Sequence, residues 1–216
     1  MSARTIRHAK ESDIPFLVEA IVSAEKSNTP RMGLATLLGI NEEETRKHIT
    51  SMLEEDVDGC EFSIRSFLIA EVDGSPAGAV AGWIEGATDE MPSGLLKSNL
   101  IGFTFPPESI AALRTNAPII GGLRIDRERG ALQIEYVHVD PAHRGKGIAG
   151  ALINAHLERA GQRKAQVQAF ADNAVAIGLY ERLGFSVTHT YTSTHPDTIR
   201  FMPHHSKVLM ERTPTK

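Results

Sequence analysis

Val137-His138-Val139-Asp140-Pro141-Ala142-His143-Arg144-Gly145-Lys146-Gly147-Ile148-Ala149-Gly150 decides the fold, because it carries a strand through a glycine-rich turn into a helix. Upstream, residues 131–139 (ALQIEYVHV) read as the strand. Downstream, Ile148, Ala149, Leu152, Ile153, Leu157 and Ala160 repeat at helical spacing, and Gly161 marks the stop. The first amides of a helix have no internal acceptor and sit at the positive end of its dipole. Gly145 and Gly147 carry no Cβ, so the backbone between strand and helix can approach an anion closely. On physical grounds the turn is a phosphate-binding site.

Two patterns overlap in it. Gly145-Lys146-Gly147-Ile148-Ala149-Gly150 fits GxGxxG, the dinucleotide fingerprint, and Asp172 follows the next strand where a ribose-binding acid is sought. That fingerprint wants the strand to run straight into its first glycine, whereas Asp140 to Arg144 intervene here and include a proline. Only 44 residues follow Asp172, too few to finish a dinucleotide fold. NAD-dependent hydride transfer is thus the remote alternative. The second pattern is Arg-x-x-Gly-x-Ala at Arg144, Gly147 and Ala149, preceded by Val139-Asp-Pro-x-x-Arg144-Gly145. It is followed, after one helix and one strand, by Asn173-x-x-Ala176-x-x-x-Tyr180-x-x-x-Gly184-Phe185. With these motifs in this order, the chain resembles the GCN5-related N-acetyltransferases, the GNAT superfamily, tightly over residues 131–185 and loosely over most of its length.

The resemblance implies a mixed α/β fold: a mostly antiparallel sheet, splayed at its centre by the cofactor, with helices on both faces. It implies acetyl-CoA as acyl donor, with the pyrophosphate on the amides from Arg144 to Ala149. Arg144, Gly145, Lys146, Gly147, Ile148 and Ala149 are then the phosphate loop. Val137, His138 and Val139 line the pantetheine and thioester through their backbone. The reaction implied is acetyl transfer to a primary amine, small molecule or peptide, by direct attack in a ternary complex. Relatives often pair, so a homodimer belongs to the same expectation. A non-catalytic acyl-CoA sensor is the alternative of a different class.

Asn173 and Tyr180 are seven residues apart, which puts them on one helix face about 10 Å apart along the axis. By resemblance Tyr180 protonates the departing CoA thiolate; a phenol near pKa 10 beside a thiol near 8.5 makes that reasonable. A core tyrosine on the Ala176–Tyr180–Leu183 stripe is the plainer reading. Many relatives hold a basic glutamate near the start of the central strand, and Gln133 occupies that register here. Glu135 lies two residues on, on the same side of an ideal strand, and is the candidate base, directly or through a water. A half-buried cross-strand contact is its equally weighted alternative. The same alternation turns His138 to the opposite side.

The rest of the chain reads as RTIRH (residues 4–8) in a strand, a helix opened at Ser12 or Asp13, and a helix from about Asn41 to Glu55 with Glu44 completing a capping box. Residues 62–72 and 77–85 form a hairpin about Asp73-Gly74-Ser75-Pro76. Strands follow at 165–170, 185–192 and 206–211. This makes one acyltransferase domain over residues 1–216, with insertions at 27–61 and 86–130. The second insertion offers one helical candidate, Glu108 to Arg114.

Composition narrows the class. The 216 residues are 41% hydrophobic and carry a net charge of −4, without the basic footprint of a nucleic-acid binder. The longest apolar run, Ala77 to Ile84, is far short of the roughly 20 residues a membrane span needs, and the N-terminus has no signal-like apolar core. The expectation is a cytoplasmic protein that binds neither nucleic acid nor membrane. The single cysteine, Cys60, excludes an internal disulfide and cysteine-rich zinc sites. The histidines show no metal spacing; His204-His205 reads as a solvent-facing pair. Residues 41–61 hold eight acids against Arg46 and Lys47, either a solvated face or an acidic rim that attracts a cationic amine.

Overall fold

The computed structural model describes residues 4–55 and 57–214. Its centre is a seven-stranded sheet of β1 (Arg4–His8), β2 (Phe67–Val72), β3 (Ser75–Ile84), β4 (Leu132–Val139), β5 (Ala165–Phe170), β6 (Ser186–Thr192) and β7 (Ser206–Arg212). The spatial order is β1-β2-β3-β4-β5-β7-β6, with every neighbouring pair antiparallel except β4 and β5. The tight turn between β2 and β3 uses Asp73 and Gly74, both at positive φ, the combination that a two-residue hairpin turn favours.

Helices cover both faces. On one side lie α1 (Ile14–Lys26), α2 (Gly33–Leu38), α3 (Glu42–Glu54), α4 (Ser93–Thr104) and α5 (Pro107–Asn116). Leu17 and Ile21 of α1, Ile49 and Leu53 of α3, and Leu96 and Leu100 of α4 join Phe62, Phe67 and Trp83 in one core. On the other side are α6 (Ile148–Ala160) and α7 (Ala174–Arg182), whose Leu152, Ile153 and Tyr180 pack with Leu68, Ile134 and Val167. A short helix, α8 (Thr198–Phe201), precedes β7. Helix α6 comes close to β3 because Gly78 and Gly82 lie beneath it. A Cβ on Gly82 would stand 2.5 Å from the His156 ring, which hydrogen-bonds through Nε2 to the Val80 carbonyl at 3.0 Å. No helix among the described residues is long and apolar enough to cross a membrane.

The Asn41 capping box forms: its Oδ1 accepts from the Glu44 amide at 2.9 Å, and Glu44 accepts from the Asn41 amide at 3.3 Å. Three expectations need correction. Residues 62–66 are not strand, because Ser66 donates to the Cys60 carbonyl and Ser63 to Asp58, which hold them in a buried turn. Residues 86–130 contain two helices and a 3-10 run, Ala117–Leu123, rather than one short helix. The acidic block is not one surface. Glu42 pairs with Lys26 and Arg46, Glu43 pairs with Lys47, and Glu61 is buried elsewhere, while Asp56 lies outside the described residues.

Candidate active site

Strands β4 and β5 pair only at their beginnings, Leu132 to Ile134 against Ala165 to Val167. Beyond that they part. Tyr136 has a φ of 52°, and the β3–β4 register jumps so that Ala79 faces His138 while Ala81 faces Glu135. Tyr136 and Val137 together oppose the one residue Val80, a bulge that bends β4 and leaves backbone groups off the ladder at the mouth of the opening. The extra residue also cancels the two-residue alternation. His138 therefore shares a face with Glu135, and its ring lies 5.7 Å from that of Phe16 on α1, not on the opposite side as ideal strand geometry predicts.

The opening is a groove of about 780 Å³. At one end, Gly145 and Gly147 have φ of 76° and 73°, and a Cβ on either would meet nothing within 4 Å. Conformation rather than space is what calls for glycine here. The Arg144 amide turns back to the Pro141 carbonyl at 3.4 Å, so the amides free of backbone partners begin at Gly145 and lead into the first turn of α6. Arg144, Gly145, Gly147, Ile148 and Ala149 line the groove. Lys146 does not; its ammonium donates to the Ala142 carbonyl at 3.1 Å in solvent.

Val137, His138 and Val139 from β4 line the same groove, as do Asn173 and Tyr180. Asn173 caps α7 by accepting from the Ala176 amide at 3.1 Å, and its Nδ2 reaches across to Ser27 Oγ at 3.4 Å. Tyr180 is buried against Phe185, and burial first, then the charge of Glu135, pushes its phenol above the usual range. His204 is not solvent-facing: it is half-buried, with Nδ1 2.8 Å from the Asp172 carboxylate and its ring over Phe170. Burial pushes the Cys60 thiol up to about 11, which keeps it inert.

Glu135 lines the groove too, and here the structure adds what spacing hides. Its carboxylate lies 2.5 Å from Arg127, whose guanidinium also meets Glu61 at 3.0 Å and Ser93 Oγ at 2.8 Å and lies over the Trp83 ring. Lys97 completes the cluster, 2.8 Å from Glu61. Burial alone would raise the Glu61 carboxyl, but Lys97 and Arg127 outweigh it and hold it well below the usual range. Both cations come from the 86–130 block and both acids from outside it. Among the described residues no group of three or more His, Cys, Asp or Glu is placed to hold a metal ion.

A model of the acetyltransferase (GNAT) family matches residues 34–185. The chain belongs to that family. Mycothiol acetyltransferase from Corynebacterium efficiens is 26% identical over 190 residues, the match covering 75% of this chain and 60% of that protein. The chain thus spans about 60% of that relative's length. An N-acetyltransferase from Staphylococcus aureus Mu50 superposes with a TM-score of 0.68 at 18% identity, covering 96% of this chain and 99% of the other. YncA from Salmonella typhimurium, whose structure includes its cofactor acetyl-CoA, gives a TM-score of 0.55 at 18% identity over 100% and 96% of the two chains. These likenesses show the GNAT fold. Acetyl-CoA is the acyl donor of the GNAT acetyltransferases, and the open glycine loop followed by a splayed groove fits it.

Proposed function

We propose that this chain is one acyltransferase domain that moves an acetyl group from acetyl-CoA to a primary amine by direct attack in a ternary complex. The observation that carries the reading is one groove lined both by the open glycine loop and by Glu135 and Tyr180. The loop amides from Gly145 onward and the first turn of α6 hold the diphosphate. Glu135 takes the ammonium's proton, directly or through a water, and the freed amine forms the new C–N bond at the thioester carbon. Backbone N–H groups at the bulge, Val137 to Val139, stabilise the oxygen that becomes negative. The C–S bond then breaks, the sulfur leaves with the electron pair, and the nitrogen sheds its second proton as the amide forms, one proton finally going to the sulfur to give the CoA thiol. Tyr180 presents its O–H to that sulfur. Because burial keeps the phenol protonated beyond the usual range, its first contribution is a hydrogen bond to the developing thiolate.

Steady-state release of CoA with a panel of primary amines tests the reading. Tyr180→Phe is expected to lower kcat by roughly 100-fold while acetyl-CoA binding, measured by calorimetry, stays within about twofold. An unchanged kcat and pH profile overturns the role of Tyr180. The tight hold of Arg127 on Glu135, together with Gln133 at the usual base position, favours a second reading, the acyl-CoA sensor. Tight acetyl-CoA binding without turnover of any amine selects it.

A further inference from the structure

Acyl transfer as described leaves one half-buried lysine in the groove without a task. Lys207 lies near the start of β7, opposite Phe170 on β5 and Tyr191 on β6. Its Nζ sits 5.1 Å from the centre of the Phe170 ring. Phe170 packs with Leu37 of α2, Leu123 and Met202. Lys207 therefore lies on the α2 face of the sheet, away from α6 and α7.

The ammonium lines the groove with Glu25, Glu135, Phe170 and Met202, and it is half-buried. Among the described residues it has no hydrogen bond and no carboxylate at ion-pair distance; its one contact of that kind is the ring face. The two carboxylates nearest in the groove are engaged elsewhere: Glu135 with Arg127 at 2.5 Å, and Glu25 accepting from the Leu34 amide at 3.2 Å. Burial lowers the Lys207 proton affinity; Glu25 and Glu135 oppose that, and Lys97 and Arg127 add to it. A charge taken out of water and paired only with an aromatic face is a standing cost that an incoming anion relieves.

We propose that Lys207 binds a carboxylate carried by the amine acceptor itself, so that the acceptor is amino-acid-like, with a primary amine and a carboxylate on one small molecule. The amine end meets Glu135 and the carboxylate end meets Lys207, with Phe170 and Met202 against the apolar part between them. The inference rests on the amine-acceptor reading above and deepens it.

Two measurements separate the failure of one from the failure of the other. In the first, CoA-loaded protein is titrated calorimetrically with N-acetyl amino acids, α and ω, and with the carboxamide of each. The carboxylate forms are expected to bind about 10- to 100-fold more tightly. Lys207→Met should abolish the difference and Lys207→Arg should keep it. Equal binding of acid and amide, no binding by any member, or a difference that survives Lys207→Met overturns the proposal. So does a Lys207→Met variant whose main defect is in acetyl-CoA binding, since the ammonium then serves the donor. In the second, the free amino acids and their amides are offered with acetyl-CoA. A carboxylate preference in binding with no acetyl transfer to any of them overturns the proposal that the carboxylate belongs to the amine acceptor, while acetylation of other primary amines is decided by the amine panel.

Discussion

The two walls of the groove are made of different materials. The wall we assign to the donor is backbone: glycines at positive φ, the first turn of α6, and the bulge at Tyr136. The wall we assign to the acceptor is backed by side-chain charge: Glu135 lines it, and Arg127, Glu61 and Lys97 stand behind Glu135, drawn from four separate parts of the chain. A backbone wall is fixed by the local path of one continuous segment. A charged wall exists only while every partner is present, because a buried ion that loses its partner is strongly destabilising.

Breaking the acceptor wall should have the largest effect. Arg127→Met leaves Glu135 unpaired and Glu61 with Lys97 alone. It is expected to lower stability by about 3–5 kcal/mol in denaturant titration and Tm by roughly 10 °C. A loss under about 1 kcal/mol would mean that this wall does not depend on charge.

Acid sharpens the contrast. On the α6 side His156 is buried and neutral, and burial pulls its pKa from 6.5 to about 4. The unfolded chain takes the proton near 6.5 and the folded chain only near 4. Stability is therefore full above pH 6.5 and is lost progressively as the pH falls towards 4, by roughly 3 kcal/mol. His138, also lowered by burial, adds to the same window, so the test is a pH series of denaturation curves with and without His156→Gln. The variant should show a shallower acid slope. Glu61, held well below the usual carboxylate range by Lys97 and Arg127, should keep the acceptor wall charged throughout that series.

The smallest effect belongs to the donor wall. Gly147→Ala meets no neighbour and bears only the cost of positive φ, about 1 kcal/mol. It should raise the KM for acetyl-CoA about fivefold with little change in kcat, measured by CoA release. A collapse of kcat instead would show that the loop shapes the reacting centre as well.

The same difference in materials explains what could be read from the amino acids alone. Strand β4, helix α6 and strand β5 fall within a residue of their sequence readings because glycines punctuate them and their apolar periods are unbroken. The phosphate loop is legible because its conformation demands particular residues in consecutive order. Arg127 has no such signature. Nothing in the spacing of residues 61, 97, 127 and 135 says that they meet. The bulge is equally hidden: the sequence LQIEYVHV alternates well enough to suggest a plain strand, and only the β3 register reveals that His138 has changed sides. Helix α4 escapes notice because Pro92 caps it without a side-chain bond and its apolar residues point several ways, with Leu96 and Leu100 buried and Leu95 and Phe103 exposed. Lys207 reads as an ordinary strand cation until its neighbours are known.

The charges of the cluster are divided with a consequence for how the chain comes apart. Residues 86–130 supply only the cations and the remainder supplies only the acids, while Leu96, Leu100 and Ile101 of α4 sit in the same core as α1. Peeling the block away would uncover Glu61 and that apolar surface in one event. What reads in the sequence as an insertion is tied into the cooperative unit by charge and core together, so its amides are expected to exchange with those of the sheet rather than ahead of them.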